Sequence, residues 1–468
     1  MNDDIYSLFE DTENKNYKLL LDNKIITKKM LLDYSFQVEN NLIKKINISN
    51  MKISDIENRK IYLSMNNRLM FITTFIALLK LKTKIILLPI EVIIDETNFS
   101  DGLIITDDKD KKFDLFINSD FSFDGKIEKK LNKFDENKKA THIYLYTSGS
   151  TGRSKLIPKS DINLITELKE LKARFNIDSY DTFYLTNFIY HIYGFLFGVL
   201  LPLYSDASFY LDSHFTPESI SSFVKNNNIS IFVSIPNYYK TFSNLNLVSN
   251  FINCKKFFSS SAPLPLEISK SFFEYGCPVT EIYGSTETGG IANRVQAISE
   301  KWETFSYVKI LVTKNNELDN NELELLIDSP AISVDYDRNI GFNTNDLVEL
   351  DENGNFRLLG RNNRFTKIGG KRVDLYSIRD KLCIYFSKEL KREVKPDDIY
   401  IGEKKEKIYI FFDEKGINKR NVDIKKDLTN YLPSYSIPKY FFWEKIPTNP
   451  LSKINKNAID EIIDKFIT

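Results

Sequence analysis

Apolar and polar positions along this chain alternate between two periods, and the switches between them lay out the elements. Residues 60–65, 85–89 and 102–106 are short apolar runs that predict strands, while 69–81 repeats its apolar positions at helical spacing. After a further strand at 142–146 comes an amphipathic helix at 162–175 and a strand at 182–186. The alternation then continues with strand 208–211, helix 217–225, strand 230–234, helix 237–242, strand 256–260, helix 266–275 and strand 279–283. Strands separated by helices predict parallel sheets covered on both faces, an α/β body.

Beyond residue 293 the pattern changes. Segments 308–313, 322–328, 347–350 and 355–359 read as antiparallel strands, with Asn353-Gly354 as a tight hairpin turn. From Gly360 a small α+β module follows, with strands at 399–401, 408–412 and 440–443 and helices at 375–386, 422–432 and 457–466. The boundary falls near 360–364, dividing the chain into domains 1–360 and 361–468. One stretch, 188–204, is nearly all apolar and reaches the lower limit of a bilayer-crossing length, but it holds His191, Gly194, Gly198 and Pro202. A buried strand-loop-helix segment of a large core is the expected reading.

Composition narrows the function. At 468 residues the chain can hold more than one domain, and its 64 basic and 64 acidic side chains cancel. Such a balance offers no general field for nucleic acid or an anionic membrane, so any bound anion needs a local site. Three scattered cysteines and three scattered histidines predict neither disulfides nor a metal cluster, and fit a reducing cytoplasm. The N-terminus, MNDDI, has no signal-peptide pattern, and a cytoplasmic protein without a transmembrane segment is expected.

The candidate local site is the run YTSGSTGRSK, from Tyr146 to Lys155. Glycines let several backbone N–H groups converge on one anion, while hydroxyls and a lysine add donors and charge. The spacing is not that of a P-loop: Gly149 and Gly152 stand three apart, and Leu156 follows the lysine where a magnesium-binding hydroxyl belongs. Taken alone, a run of this kind is more often just a loop.

Four further stretches follow in order: EIYGSTETGG (281–290), TNDL (344–347), GRNNRFTKIGGKRV (360–373) and PTNPLSK (447–453). Together with 146–155 they resemble the core motifs of adenylate-forming enzymes: acyl-CoA synthetases, adenylation domains of peptide synthetases, and luciferases. The resemblance covers roughly residues 40 to 460. It implies a large N-terminal domain with a small β-barrel-like part, followed by a small mobile C-terminal domain. The implied activity is ATP-dependent activation of a carboxylic acid, with release of pyrophosphate and transfer to a phosphopantetheine thiol. It also implies ATP, Mg²⁺, and CoA or a carrier protein's phosphopantetheine as acceptor.

By that resemblance Thr147, Ser148, Gly149, Ser150, Thr151, Gly152 and Lys155 hold the β- and γ-phosphates. Tyr283 and Gly284 lie at the adenine, Thr286 contacts the α-phosphate, and Glu287 binds Mg²⁺. Asp346 takes the ribose hydroxyls with Arg361 beside it, Lys453 reaches the reacting carboxylate, and Lys367 and Gly370 serve the thiol step. The chain departs from the family pattern at Ser154, Asn345, Ser452 and the hinge position Asn363.

The acyl pocket is expected at His191, Tyr193, Gly194, Ser261 and Ala262, with no anion for an ammonium, which predicts a hydrophobic fatty or aryl acid. Stretches 281–293 and 370–375 look similar to short ligases of aryl polyene and xanthomonadin-type pigment pathways. An amino-acid-activating enzyme and a non-catalytic nucleotide-binding protein are the alternatives.

Overall fold

The computed structural model describes residues 5–9, 17–21, 24–48, 59–81, 83–90, 92, 99, 101–110, 115–116, 143–147, 155–212, 214, 216–313, 323–336, 341–361, 365–369, 371–414, 420–448 and 454–466. Among them, two mainly parallel sheets form the body of the large domain. The first runs, in spatial order, Leu115–Phe116, Gly102–Thr106, Lys60–Ser64, Lys84–Leu87, Ile143–Thr147 and Lys155–Lys159; only its last pair is antiparallel. The second runs Glu303–Thr304, Gly289–Arg294, Val279–Ser285, Lys256–Ser259, Ile231–Ser234, Thr182–Leu185, Ser208–Tyr210, Lys18–Leu21 and Lys24–Thr27, antiparallel at both ends. The α/β expectation holds.

One apolar cluster unites both sheets, taking in Ile61, Leu63 and Ile85 from the first and Leu185, Val233 and Phe258 from the second. Helix Arg68–Lys80 lies in it and is buried on every side from Leu69 to Leu79, which explains its uniformly apolar sequence. At its start the Arg68 guanidinium donates to Leu185 O at 3.1 Å and Asn187 O at 3.2 Å. A helix packed on one sheet is thereby bonded to a strand end of the other.

Three expectations need correction. Strand Lys155–Lys159 is absent from the sequence reading because Pro158 and two lysines mask it; it lies at a sheet edge, where proline is tolerated. Strands Lys18–Leu21 and Lys24–Thr27 and the start of helix Lys28–Ile48 also precede the first element expected. The stretch 188–204 contains no strand. It turns into helix Ile192–Phe195, widens into a π-helical segment at Leu196–Leu200, and continues as helix Leu201–Ser205. The wide turn stands just before Pro202, which has no N–H to return to the preceding turn. Apart from Phe188 the segment is largely buried, and among the described residues no helix is long and apolar enough to cross a membrane.

Strands Lys309–Thr313, Leu323–Asp328, Phe342–Leu350 and Phe356–Arg361 form an antiparallel sheet, in the place of the expected barrel-like part. The small C-terminal domain has a core of its own, built from helix Leu375–Leu390, strands Ile399–Lys404, Lys407–Phe412 and Tyr440–Phe442, and helix Asn421–Leu428. Cys254, Cys277 and Cys383 are free and buried, and burial pushes their thiols up to about 12, 11 and 11.

Helix Asp161–Arg174 begins with a capping box, in which Ser160 Oγ accepts from Asn163 N and Asn163 Oδ1 accepts from Ser160 N. The Asn163 amide also donates to Pro330 O at 2.7 Å and Ile332 O at 2.8 Å. One buried side chain thus starts the helix and ties it to a loop far away in sequence. Asn163→Ala leaves the Ser160 cap in place but should cost about 2–4 kcal/mol, from the lost reciprocal bond to Ser160 N and two bared carbonyls. Urea unfolding with an unchanged denaturant slope would measure it.

Candidate active site

The glycine-rich run connects two paired strands. Thr147 faces Lys155 across the ladder between Ile143–Thr147 and Lys155–Lys159, and Thr147 Oγ1 donates to Lys155 O at 3.3 Å. The run is therefore the loop of an edge hairpin, with the exposed Lys155 at its far end. Ser148, Gly149, Ser150, Thr151 and Gly152 lie outside the described residues, as do Ser154 and Asn363.

A second hairpin stands beside it. Val279–Ser285 pairs with Gly289–Arg294, with an irregularity at Tyr283 and Gly284, and Thr286 and Glu287 occupy the turn. Inside the turn Ser285 N donates to Thr288 Oγ1 at 2.9 Å, and Thr288 N donates to Ser285 Oγ at 3.2 Å. From outside, Ser333 N donates to Glu287 O at 2.8 Å and the Lys159 ammonium to the same oxygen at 3.4 Å. The Glu287 backbone is fixed while its side chain stays half-buried.

Tyr283 donates its hydroxyl to Asp346 Oδ2 at 2.5 Å, and its ring packs against Trp302 and Phe356. Asp346 sits in strand Phe342–Leu350, directly across the ladder from Arg361. The residue before it, Asn345, has φ of +59°. That left-handed conformation is one glycine adopts freely and asparagine tolerates better than other side chains, so the departure at Asn345 keeps the backbone turn. For Arg361 and Lys367 only the backbone is described. Gly370, Ser452 and Lys453 lie outside the described residues, though Thr448 and Ile454 on either side of 449–453 pair antiparallel.

Between the second hairpin and the segment after His191 lies a pocket enclosing about 100 Å³. His191, Tyr193, Ser260, Ser261, Gly284, Ser285 and Thr286 line it with Leu171, Ile192, Leu196, Phe197, Ile282 and Phe305. Of the expected pocket residues, Gly194 and Ala262 are not among the lining groups; Gly194 is instead pressed against Phe188 O, where a Cβ would stand 2.1 Å away. Tyr193 is buried and donates its hydroxyl to Ser234 O at 3.2 Å, so burial holds its pKa well above the ordinary range.

The pocket is not free of acidic side chains. Glu167, from helix Asp161–Arg174, lines it while only 2% exposed, and its Oε2 accepts the Gly290 N–H at 2.7 Å. Near it lies Lys159, fully buried, whose ammonium donates to Ala331 O at 2.8 Å. The sequence reading missed both residues. The available signal was positional: Glu167 interrupts the apolar face of Leu164, Leu168 and Leu171.

Comparison with known proteins decides the family. The profile of AMP-binding enzymes matches residues 60–322, more than half of the chain. The chain belongs to the AMP-binding enzymes. Oxalate–CoA ligase of Arabidopsis thaliana is 23% identical to this AMP-binding enzyme over 345 residues, 68% of the chain and 66% of the relative. The chain thus spans just under two thirds of that ligase. Among solved structures, ATP-bound MatB from Rhodopseudomonas palustris superposes with a TM-score of 0.75 at 17% identity, covering 100% of both chains. O-succinylbenzoate coenzyme A synthetase (MenE) from Bacillus subtilis, in complex with AMP, gives 0.72 at 15% identity over 97% of each chain. At these identities the two structures show that the AMP-binding enzyme shares their fold, large domain and small domain together.

The buried lysine makes a pH-dependent contribution to stability. Burial lowers the Lys159 ammonium from 10.5 to about 8, against the opposing pull of Glu167 and Glu287. Between those values the unfolded chain holds a proton that the folded one has released, so the unfolding free energy rises with pH; below about 8 this contribution is level. Across the window it amounts to about 3 kcal/mol. Urea titrations from neutral pH to pH 10.5 should show wild type gaining that much relative to Lys159→Met. A constant difference would refute the assignment.

Proposed function

We propose that this enzyme joins a compact, largely apolar carboxylic acid to AMP and passes the acyl group to a phosphopantetheine thiol. In the first step a carboxylate oxygen bonds to the α-phosphorus of ATP and the bond to pyrophosphate breaks. In the second a thiolate attacks the acyl carbonyl and AMP departs. Neither step needs a protein nucleophile; both need charge neutralised and atoms positioned. The observation that carries the reading is that one hairpin serves two neighbouring places. Thr286 lines the apolar pocket, and Tyr283, on the same hairpin, is bonded to Asp346.

In this reading an acid in the pocket presents its carboxylate toward Thr286, while the Asp346 carboxylate takes the ribose hydroxyls beside the Tyr283 ring. Thr147, Lys155 and the loop 148–152 face the outer phosphates. The donor set fits Mg²⁺, which binds through one or two carboxylates plus substrate phosphates: Glu287 is half-buried on a turn fixed by its backbone. When bound, the ion neutralises phosphate charge. Lys453 meets the developing charge, and Lys367 and Gly370 belong to the thiol step. The small cavity favours a short or aryl acid over a long fatty chain, and the resemblance to pigment-pathway ligases makes aryl acids with a separate carrier protein the first pair to try.

Acid-dependent ATP–pyrophosphate exchange tests the reading. Exchange with an organic acid is expected, and Lys453→Ala should lower it by about a hundredfold or more without changing the thermal midpoint. Folded protein that binds ATP and supports exchange with no acid would favour a non-catalytic nucleotide-binding protein instead.

A further inference from the structure

One ring in the wall of the pocket backs onto further rings. Phe197 lines the cavity yet is only 1% exposed, so a small part of its side chain forms the wall and the rest is packed in protein. Its ring is tilted against Tyr193 at 5.0 Å between centroids and against Phe258 at 5.1 Å, and Phe258 in turn meets Phe175 edge-on at 4.8 Å. Neither Phe258 nor Phe175 is among the lining groups. Phe197 thus stands between the cavity and a second tier of apolar side chains.

The backbone that carries Phe197 is itself unusual. Ile192, Tyr193, Leu196 and Phe197 line the pocket in succession, and the wide π-helical turn begins at Leu196. Such turns are rare and concentrate at functional sites. Gly198 lets this turn lie against Leu185, where a Cβ would stand 2.2 Å from Leu185 Cδ2, so the segment has little room to retreat from the cavity.

We propose that Phe197 is a specificity-determining residue that sets the greatest length of acid the pocket accepts. The proposal rests on the acid-activating reading above and narrows its substrate class to short acids and to aryl acids without a long substituent.

The other rings of the wall are less suited to this role. Behind Phe305 the Arg174 guanidinium lies over the ring at 5.2 Å, and an alkyl chain extended that way would meet a cation. Tyr193 is tied down by its hydroxyl, which donates to Ser234 O. Only behind Phe197, among these three, does the wall give onto carbon alone. A close-packed wall yields poorly to an extra methylene, so an acid one carbon too long is rejected. Removing the ring leaves a space that its surroundings fill only in part, and a chain entering that space would stay in apolar contact with Phe258.

The test uses the full-length enzyme with straight-chain acids from acetate to decanoate, and with benzoates carrying para-methyl to para-butyl groups. In ATP–pyrophosphate exchange, kcat/KM for wild type should fall by about tenfold or more at the first methylene past its limit. Phe197→Ala should move that limit up by about two carbons or more. Phe197→Leu, which disturbs the core less, should move it in the same direction by a smaller step and serves should the alanine variant fail to fold. Phe258→Leu alone should leave the limit where it is, and combined with Phe197→Ala should extend it further.

Calorimetric binding of the same acids in the presence of α,β-methylene-ATP separates this inference from the activity it rests on. A binding limit that moves with Phe197 while no variant supports exchange keeps the length limit and sinks the activity. Exchange with the same limit in wild type and both Phe197 variants, or with a limit moved as far by Phe258→Leu alone, sinks the inference alone. Wild-type exchange undiminished up to decanoate does the same. Neither binding nor exchange with any acid overturns both.

Discussion

A small set of buried hydrogen bonds between segments distant in sequence holds the site together. Asn163 donates to Pro330 O and Ile332 O, Lys159 to Ala331 O and Glu287 O, Ser333 Oγ to Pro158 O, and Ser333 N to Glu287 O. These bonds fasten the strand leaving the glycine-rich loop, the turn carrying Thr286 and Glu287, and the 330–333 segment to one another. Each uses a backbone carbonyl or amide that would otherwise be buried without a partner, so the arrangement resists displacement as well as favouring one geometry. Two hairpins from different sheets are thereby set side by side, which apolar packing alone would leave free to slide.

The strand–helix alternation was legible because it depends on periodicity, a local property. Gly102–Thr106 appears with the bounds read from sequence, and most helices agree within a few residues. What escaped the reading depended on tertiary context. Lys155–Lys159 becomes a strand only because an edge position excuses Pro158, and the start of the 188–204 stretch read as a strand ahead of its helix because nearly every residue there is apolar whatever its conformation. The site shows the same division. Tyr283 and Asp346 were named from motifs, and their hydrogen bond brings them together across 63 positions. Glu167 belongs to no motif and reaches the pocket only through the register of its helix.

Charge is used sparingly inside the large domain, and some buried instances have an identifiable counterweight. Arg294 pairs with Glu281 at 2.8 Å beneath the second hairpin and stacks over Trp302. Arg68 is answered by two carbonyls at the junction of the sheets. Lys159 and Glu167 are balanced only in part: the ammonium is bonded to carbonyls, and among the described residues Glu167 Oε1 has no hydrogen-bond partner. Incomplete satisfaction of a buried group commonly marks a place where a protein meets something other than itself.

The proposed chemistry generates an acylating reagent within the protein that makes it. Any nearby thiolate would capture the acyl group and inactivate the chain by self-labelling. Cys254, Cys277 and Cys383 are buried, and their thiols are pushed up to about 12, 11 and 11, so at neutral pH almost none is ionised. The same apolar packing that stabilises the two domains keeps the chain's own sulfur chemically silent, leaving an incoming thiol without internal competition.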